Sequence, residues 1–565
     1  MNWRVEVAVQ NPAHSALGDV LSYVSPARVA PGTLVRVPLG RREVLGVAWH
    51  AQLAGAADEA APPMELRPVA AVLDDLPPLG EAWRDLVTFA ARYYQRSLGE
   101  IALAALPPQL RDMGAAQLAR RLKRQAAPSP AAEAPHGPPL SPEQAHALAR
   151  FEAESGPFLL FGSTGSGKTE VYLQAVAALF EREPGAQALV MVPEINLTPQ
   201  LQARFKDRFG AGAVVSLHSG MTNPQRLASW LAAHAGAARI VLGTRMAVFA
   251  SMPALKLIVV DEEHDPSYKQ QEGARYSARD LALWRGRREG AKVMLGSATP
   301  SLESWHRSRP AGAKESGARY VRLAMPSRIG TAALPTVRLV DMGLQPPRTV
   351  FSAALLDAIG QRVARGEQSM VFLNRRGYAP VLACGDCDWK SECPHCSAYR
   401  VFHKIDRTLR CHHCGFAERV PRACPACGNP DIAPVGRGTE RLEEHLGELF
   451  AGATRPGGGP VRIARIDADS TRRPGALESQ RAAVHAGEVD VLVGTQMIAK
   501  GHDFRRITLV AAANPDGALF SSDFRAPERL FSLLMQSAGR AGRDRRDVDP
   551  DTSPPARAVR RPAPA

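Results

Sequence analysis

The sequence predicts an α/β fold of two parallel-sheet lobes, with a small β-rich domain ahead of the first lobe and a metal-binding insertion inside the second. Three observations carry that prediction. From residue 157 onward, short apolar strands alternate with amphipathic helices, the rhythm of a parallel sheet covered by helices. A Gly-x-x-x-x-Gly-Lys-Thr string, Gly162 to Thr169, sits where one strand hands over to a helix. All 8 cysteines lie between Cys384 and Cys427 as Cys-x-x-Cys pairs. At 565 residues the chain also exceeds the ~250 to 300 at which one core stops growing, so several domains are expected.

Taken in order, Val5 to Val9, Leu34 to Val37 and Val44 to Trp49 alternate or cluster β-formers between turns such as Pro31-Gly32, which predicts a β-rich domain over 1–78. From Glu81 to Leu106 apolar residues recur at helical spacing, including Tyr93, Tyr94, Leu98 and Ile101, and core packing is the expected meaning; a helical segment is placed at 79–123. Residues 124–139 form a Pro/Ala linker. Ser141-Pro142-Glu143-Gln144 then opens a helix: Ser141 can cap, Pro142 suits the first position and Gln144 can close a capping box.

The first lobe is expected over 140–325, with strands at Phe158 to Phe161, Ala188 to Val192, Val214 to Leu217, Ile240 to Leu242, Leu257 to Val260 and Val293 to Leu295. The second is expected over 326–383 and 428–545, with strands at Ser369 to Leu373, Val461 to Ile466, Asp490 to Val493 and Thr508 to Ala512, interrupted by the cysteine insert at 384–427. Residues 546–565 are Arg, Pro, Ala and Asp without periodicity and are expected to be disordered.

Lys plus Arg outnumber Asp plus Glu by 70 to 56, a net +14 that favours a polyanionic partner. Arg-heavy coding produces the same excess on a solvated face, so charge alone discriminates little. No positive segment followed by an apolar run opens the chain, and no stretch approaches the ~20 apolar residues of a membrane span. A soluble, cytoplasmic protein with no membrane partner is expected, and in a reducing compartment clustered thiols point to zinc rather than disulfides.

A glycine-rich turn at a helix N-terminus can surround phosphate oxygens with backbone N–H groups, so Gly162, Ser163, Thr164, Gly165, Ser166, Gly167, Lys168 and Thr169 are read as an ATP cradle, Lys168 neutralising the β/γ-phosphates and Thr169 binding Mg²⁺. Asp261-Glu262-Glu263-His264 follows an apolar strand; there Asp261 can hold Mg²⁺ and Glu262 can align the attacking water. Arg540 and Arg543, three apart on a helix, can act as arginine fingers on the γ-phosphate. The cysteine spacing is Cys384-x2-Cys387-x5-Cys393-x2-Cys396-x14-Cys411-x2-Cys414-x9-Cys424-x2-Cys427, enough thiolates for two tetrahedral Zn²⁺ sites. Spacing does not fix which pairs share a metal, and His395, His403, His412 and His413 are read as surface or supporting groups.

These strings together resemble the superfamily 2 helicases and, within them, the PriA family of replication restart helicases. The resemblance rests on Gly162 to Thr169, Val192 to Gln200, Leu217 to Ser219, Gly243 to Arg245, Asp261 to His264, Ser267 to Gly273, Gly296 to Pro300, Phe372 to Tyr378, Gly494 to Phe504, Asp516 to Phe520 and Gln536 to Arg543. It covers roughly 140–543, more weakly 1–110. It implies two RecA-like lobes of a P-loop NTPase core and ATP-driven 3′-to-5′ unwinding of DNA at abandoned forks, exposing single strand for reloading the replicative helicase. Implied partners are forked and single-stranded DNA, primosome proteins, single-strand-binding protein and the replicative helicase with its loader.

The same resemblance implies that the outer cysteine pairs, Cys384, Cys387, Cys424 and Cys427, share one zinc and the inner pairs, Cys393, Cys396, Cys411 and Cys414, the other. Thr244-Arg245, Arg375 and Thr495-Gln496 are then DNA contacts, while Tyr268 and Lys269 fall in an aromatic-rich loop where a base can stack. A packed loop tyrosine is the plainer reading of Tyr268. Tyr23 aligns with the family's DNA 3′-end pocket, although Ser22 replaces the usual preceding aspartate. Only a linker joins Leu110 to Leu140, where relatives carry a winged-helix domain, and little follows Arg543. That tail is read as a truncation or reading-frame artefact; an intact stop after Ala565 on re-sequencing would refute the frameshift version. If unwinding is lost with it, the alternative is an ATP-switched fork-binding loader; an RNA helicase is a more distant one.

Overall fold

The computed structural model describes residues 2–11, 18–53, 66–124, 137–193, 199–310, 319–329, 335–346, 349–373, 381–387, 389–396, 399–403, 407–411, 414–434, 439–466, 470, 476–494, 506–519 and 523–539. They form two compact units, Met1–Ser327 and Arg328–Ala565.

The first unit opens with an antiparallel sheet of β1 (Trp3–Val9), β2 (Leu21–Ser25), β3 (Leu34–Leu39), β4 (Arg42–Leu53) and β5 (Ala71–Val72), in the order β2-β1-β4-β3-β5. Strand alternation sends Val5, Val7, Val9, Val35 and Val37 to one buried face with Tyr23. Ala8, Leu34, Leu45 and Val47 face the other way, into a core shared with α1 (Glu81–Tyr93), α2 (Leu98–Ala104) and α3 (Ala115–Arg124). The helix α2 meets β1 so closely that a Cβ on Gly99 would lie 1.7 Å from the Val9 carbonyl oxygen, so only glycine fits there. Leu98 and Ile101 are buried as expected, but Tyr93 is 66 % exposed. Its ring stacks on Phe89 at 5.5 Å, at the rim of the helix face that the spacing predicted.

The same core continues into the first lobe. There α4 (Pro142–Ala153) precedes a seven-stranded, wholly parallel sheet of β6 (Phe158–Gly162), β7 (Gln187–Met191), β8 (Val214–Leu217), β9 (Ile240–Gly243), β10 (Leu255–Asp261), β11 (Lys292–Ser297) and β12 (Val321–Met325), ordered β12-β6-β11-β10-β7-β9-β8. Phe158, Leu160, Val190 and Val259 face α4, α5 (Lys168–Arg182) and α6 (Pro199–Phe209). Leu159, Leu189, Ile258 and Val260 face α7 (Asn223–His234) and α8 (Ala278–Glu289). Strands buried on both faces read as continuous apolar runs, which is why six of the seven were visible in the sequence. The seventh, β12, lies at the sheet edge with an exposed Ala324 and a half-buried Arg322, so its run is broken. A short α9 (Leu302–Arg307) joins β11 to it.

In the second unit, α10 (Ala353–Ala364) leads into β13 (Gln368–Leu373) at the heart of a parallel sheet ordered β19-β20-β13-β21. Met370 and Phe372 face one apolar cluster and Val371 the opposite one, as period-2 alternation requires. Between β13 and β19 (Ile463–Ile466) the chain makes its cysteine excursion: β14 (Leu382–Cys384) pairs antiparallel with β18 (Ile432–Pro434), and β15 (Val401–His403), β16 (Thr408–Arg410) and β17 (Ala417–Arg419) form a separate antiparallel sheet. Then come α11 (Thr439–Leu449), α12 (Ala476–Ala486), β20 (Val491–Gly494), β21 (Ile507–Ala513) and α13 (Ala526–Ala538). Most of the 124–139 linker and all of 546–565 lie outside the described residues. Among the described residues no helix is long and apolar enough to cross a membrane.

Candidate active site and metal centre

The strand β6 ends at Gly162, and after the turn α5 begins at Lys168, as the loop spacing predicts. Gly165 and Gly167 have φ of +92° and +79°, left-handed positions that favour glycine and turn the backbone around a concavity. A Cβ on Gly162 would fall 2.5 Å from Ser166 Oγ. Lys168 Nζ lies over the loop and donates to the Gly162 carbonyl at 2.9 Å. Buried Ser163 Oγ and Ser166 Oγ have no hydrogen-bond partner among the described residues. That orphaned pair beside a lysine and a helix N-terminus fits a phosphate chain.

Gln144 does more than cap. Its Oε1 accepts from Ser141 N–H at 2.8 Å, completing the capping box, and its Nε2 donates to Gly167 O at 3.2 Å. The first turn of α4 is thereby tied to the loop, a link that the capping signature in the sequence did not reveal.

Asp261 ends β10 beside the loop. Burial, then the neighbouring Glu262 carboxylate, pushes its carboxyl up to about 6, against the attraction of Lys168 and a 2.8 Å hydrogen bond from the Tyr172 hydroxyl. Burial, then the Asp261 carboxylate that its hydroxyl meets, raises Tyr172 well above the usual tyrosine range. Glu262 sits at φ +48°, a left-handed position that is uncommon for a glutamate.

The rest of the tetrad is wired to the chain after β11. Glu263 is buried; it accepts from Ser301 N at 2.7 Å and Ser304 Oγ at 2.9 Å and lies 3.2 Å from Arg279. His264 Nδ1 lies 2.8 Å from Ser297 Oγ and 3.6 Å from Glu262 Oε2, and its Nε2 lies 3.4 Å from Thr299 Oγ1. This ladder joins the carboxylates to Ser297–Ser304. Sequence reasoning gave Glu263 and His264 no part in it, because the polar partners are distant in the chain.

One reading changes. Tyr268, weighed as a base-stacking residue, is 3 % exposed; its hydroxyl donates to Asp261 O at 2.6 Å and Met191 O at 3.0 Å, so it is the packed loop tyrosine, bracing the end of β10. Tyr23, aligned with a DNA-end pocket, is buried among the valines of its sheet and donates to Pro38 O at 3.1 Å. Thr244 is buried with an unpartnered Oγ1 among the described residues, whereas Arg245 is half-buried and donates to Ser267 O at 3.1 Å. Lys269 is exposed, its ammonium 5.3 Å from the Tyr94 ring centroid. Arg375, Thr495, Gln496, Arg540 and Arg543 lie outside the described residues.

The cysteines gather into two groups, Cys384, Cys387, Cys424 and Cys427, and Cys393, Cys396, Cys411 and Cys414, with the sulfurs of each within 4.8 Å of one another. Cross-pair sulfur separations are 3.5 to 3.6 Å. A disulfide needs ~2.05 Å; a tetrahedron of ~2.3 Å Zn–S bonds has an edge near ~3.8 Å. The donor set and its spacing fit zinc, and the outer-with-outer, inner-with-inner division is the one the resemblance implied.

Fold, phosphate loop and tetrad together define the class: an α/β P-loop chain of the helicase type, in which residues 141–307 match the DEAD/DEAH box helicase family. Residues 6–107 match the 3′ DNA-binding domain of PriA and residues 393–419 the Cys-rich region domain of PriA DNA helicase. The chain belongs to the PriA family. It is 35 % identical over 519 residues to the replication restart protein PriA of Treponema pallidum, covering 91 % of this chain and 74 % of that one. Identity is 45 % over 406 residues to the Haemophilus influenzae protein of the same name and 42 % over 389 residues to that of Bacillus subtilis. Those matches cover 72 % and 68 % of this chain but 53 % and 46 % of the relatives, so the chain spans about half the length of these relatives.

Proposed function

We propose that the chain is an ATP-dependent DNA helicase that binds forked DNA and moves 3′-to-5′ on it, opening single strand for reassembly of the replication machinery. The supporting observation is the continuous polar ladder from the Lys168 loop through Asp261–His264 to Ser297–Ser304, set in a lobe whose core is shared with the domain matching a 3′ DNA-binding fold. A lobe wired in this way can transmit a change at the phosphate loop to loops at the sheet edge.

In this reading Gly162–Thr169 cradle the triphosphate and Lys168 neutralises its β/γ-oxygens. Thr169 and Asp261 would hold Mg²⁺, which supplies charge neutralisation at those oxygens. Glu262, held out from β10 by its left-handed backbone, orients the attacking water. Arg540 and Arg543 keep the arginine-finger role on motif grounds. Arg245 and Lys269, with Arg375, Thr495 and Gln496 assigned from sequence, contact the strand. Single-strand-binding protein, primosome proteins and the replicative helicase with its loader are the proposed protein partners, met at forks in the bacterial cytoplasm.

The test is ATPase rate and strand displacement on forked and linear DNA with 3′ or 5′ tails, with zinc quantified in the same preparation. Stimulation by DNA and displacement from 3′ tails are expected. Turnover no faster with DNA than without it overturns the reading. Stimulated turnover without displaced strand favours the loader, and equal stimulation by RNA the RNA enzyme.

A further inference from the structure

A cavity of about 80 Å³ lies where the turn after α2 meets the carboxyl ends of β8 and β9, walled in part by Pro108, Arg111, Leu217, Arg226, Trp230 and Met246. Ligands of parallel sheets bind at that edge of the strands. Arg226 and Trp230 stand four apart on α7 and so share a face. The turn carrying Arg111 is fixed from the other side, because Arg36 Nη2 donates to Leu110 O at 3.2 Å and Met113 O at 2.7 Å.

Three of the lining residues present buried donors without acceptors: Arg111 Nε, Arg226 Nε and Trp230 Nε1 have no hydrogen-bond partner among the described residues. Such groups are rarely left unmet in a native interior. Two of the three belong to guanidinium groups, which stay protonated, and no carboxylate lines the cavity. Arg111 Nη2 donates to Leu103 O at 3.0 Å and Arg226 Nη2 to Ser219 O at 3.2 Å, so both guanidinium groups are anchored on neutral carbonyls while each Nε is left over; water could meet those donors but would bring no countercharge. A tetrahedral oxyanion offers acceptors for such donors and a negative charge for the two guanidinium groups.

We propose that this cavity is a second phosphate-binding site, separate from the Gly162–Thr169 cradle, that takes either a backbone phosphate of a nucleic-acid strand or free phosphate. The three donors lie outside the motif strings, and the site is defined by binding, so it stands or falls independently of unwinding.

The experiment uses the full chain carrying Lys168→Ala, which removes the cradle's own response, and follows Tm against inorganic phosphate at ionic strength held constant with chloride. Tm should rise with phosphate as mass action requires. Adding Arg226→Gln or Trp230→Phe should weaken apparent affinity by about tenfold, the loss of one buried charge-assisted or N–H donor. Should Arg226→Gln fail to fold, Trp230→Phe carries the test, since it keeps the ring stacked at 4.9 Å on His234. No phosphate response in the Lys168→Ala chain, or equal affinity after these substitutions, overturns the proposal. The source is then read with an oligo-dT strand: a backbone phosphate predicts that Arg226→Gln lowers the salt slope of binding by about 1. An unchanged slope with a lost phosphate response assigns the site to free phosphate.

Discussion

The phosphate loop stands in a lobe sealed by apolar clusters on both sheet faces, whereas between Cys384 and Cys427 the only buried aliphatic residues among those described are Val401 and Leu409. The first region is ordered by burial and can place strained and orphaned groups, such as Glu262 and Ser166, because its surroundings over-determine them. The second has no comparable core and must draw order from its thiols. Strain can be stored where packing dominates; metal is required where it does not.

The largest test of that contrast is chelation. Structural zinc in small modules is worth ~10 to 16 kcal/mol of folding energy in isolated finger peptides, so stripping both ions should erase hydrogen-exchange protection across 384–427 while leaving 158–297 protected. Cys393→Ala should release about one zinc per chain. Protection that survives metal removal breaks the contrast.

Next is Lys168→Ala, which should reduce ATPase by at least ~10²-fold while leaving DNA affinity and zinc content unchanged. Turnover near the parent rate removes Lys168 from its assigned place.

A smaller effect concerns Asp261. Its folded carboxyl takes up a proton at about 6, against ~3.9 in the unfolded chain, so the native state binds more protons between those values and stability falls as pH rises through that window. In EDTA without nucleotide, Asp261→Asn should therefore melt above the parent at pH 8, with the gap closing towards pH 4. A gap independent of pH would mean that the burial cost lies elsewhere.

Smallest is Tyr268→Phe, which deletes the bonds to Asp261 O and Met191 O and should cost about 1 to 2 kcal/mol in stability. Weakened DNA binding at unchanged Tm would restore the stacking role that burial argues against.

The contrast also explains what the sequence disclosed. Glycines, a Lys-Thr pair and Cys-x-x-Cys pairs announce themselves because their chemistry depends on local spacing, and strands buried on both faces announce themselves as apolar runs. Burial of Tyr268, Tyr23 and Thr244, the exposure of Tyr93 and the second bond of Gln144 depend instead on which distant backbone arrives beside them. Edge strand β12 escaped notice because Arg322 and Ala324 interrupt its apolar run without meeting a core.

One further consequence follows from the ladder of three residues that ties 382–384 to 432–434. The two ends of the excursion are held side by side there, with Cys384 on the last rung, opposite Ile432. Chain between the thiol pairs can therefore change length without pulling those two ends apart, as long as the eight sulfurs keep their places.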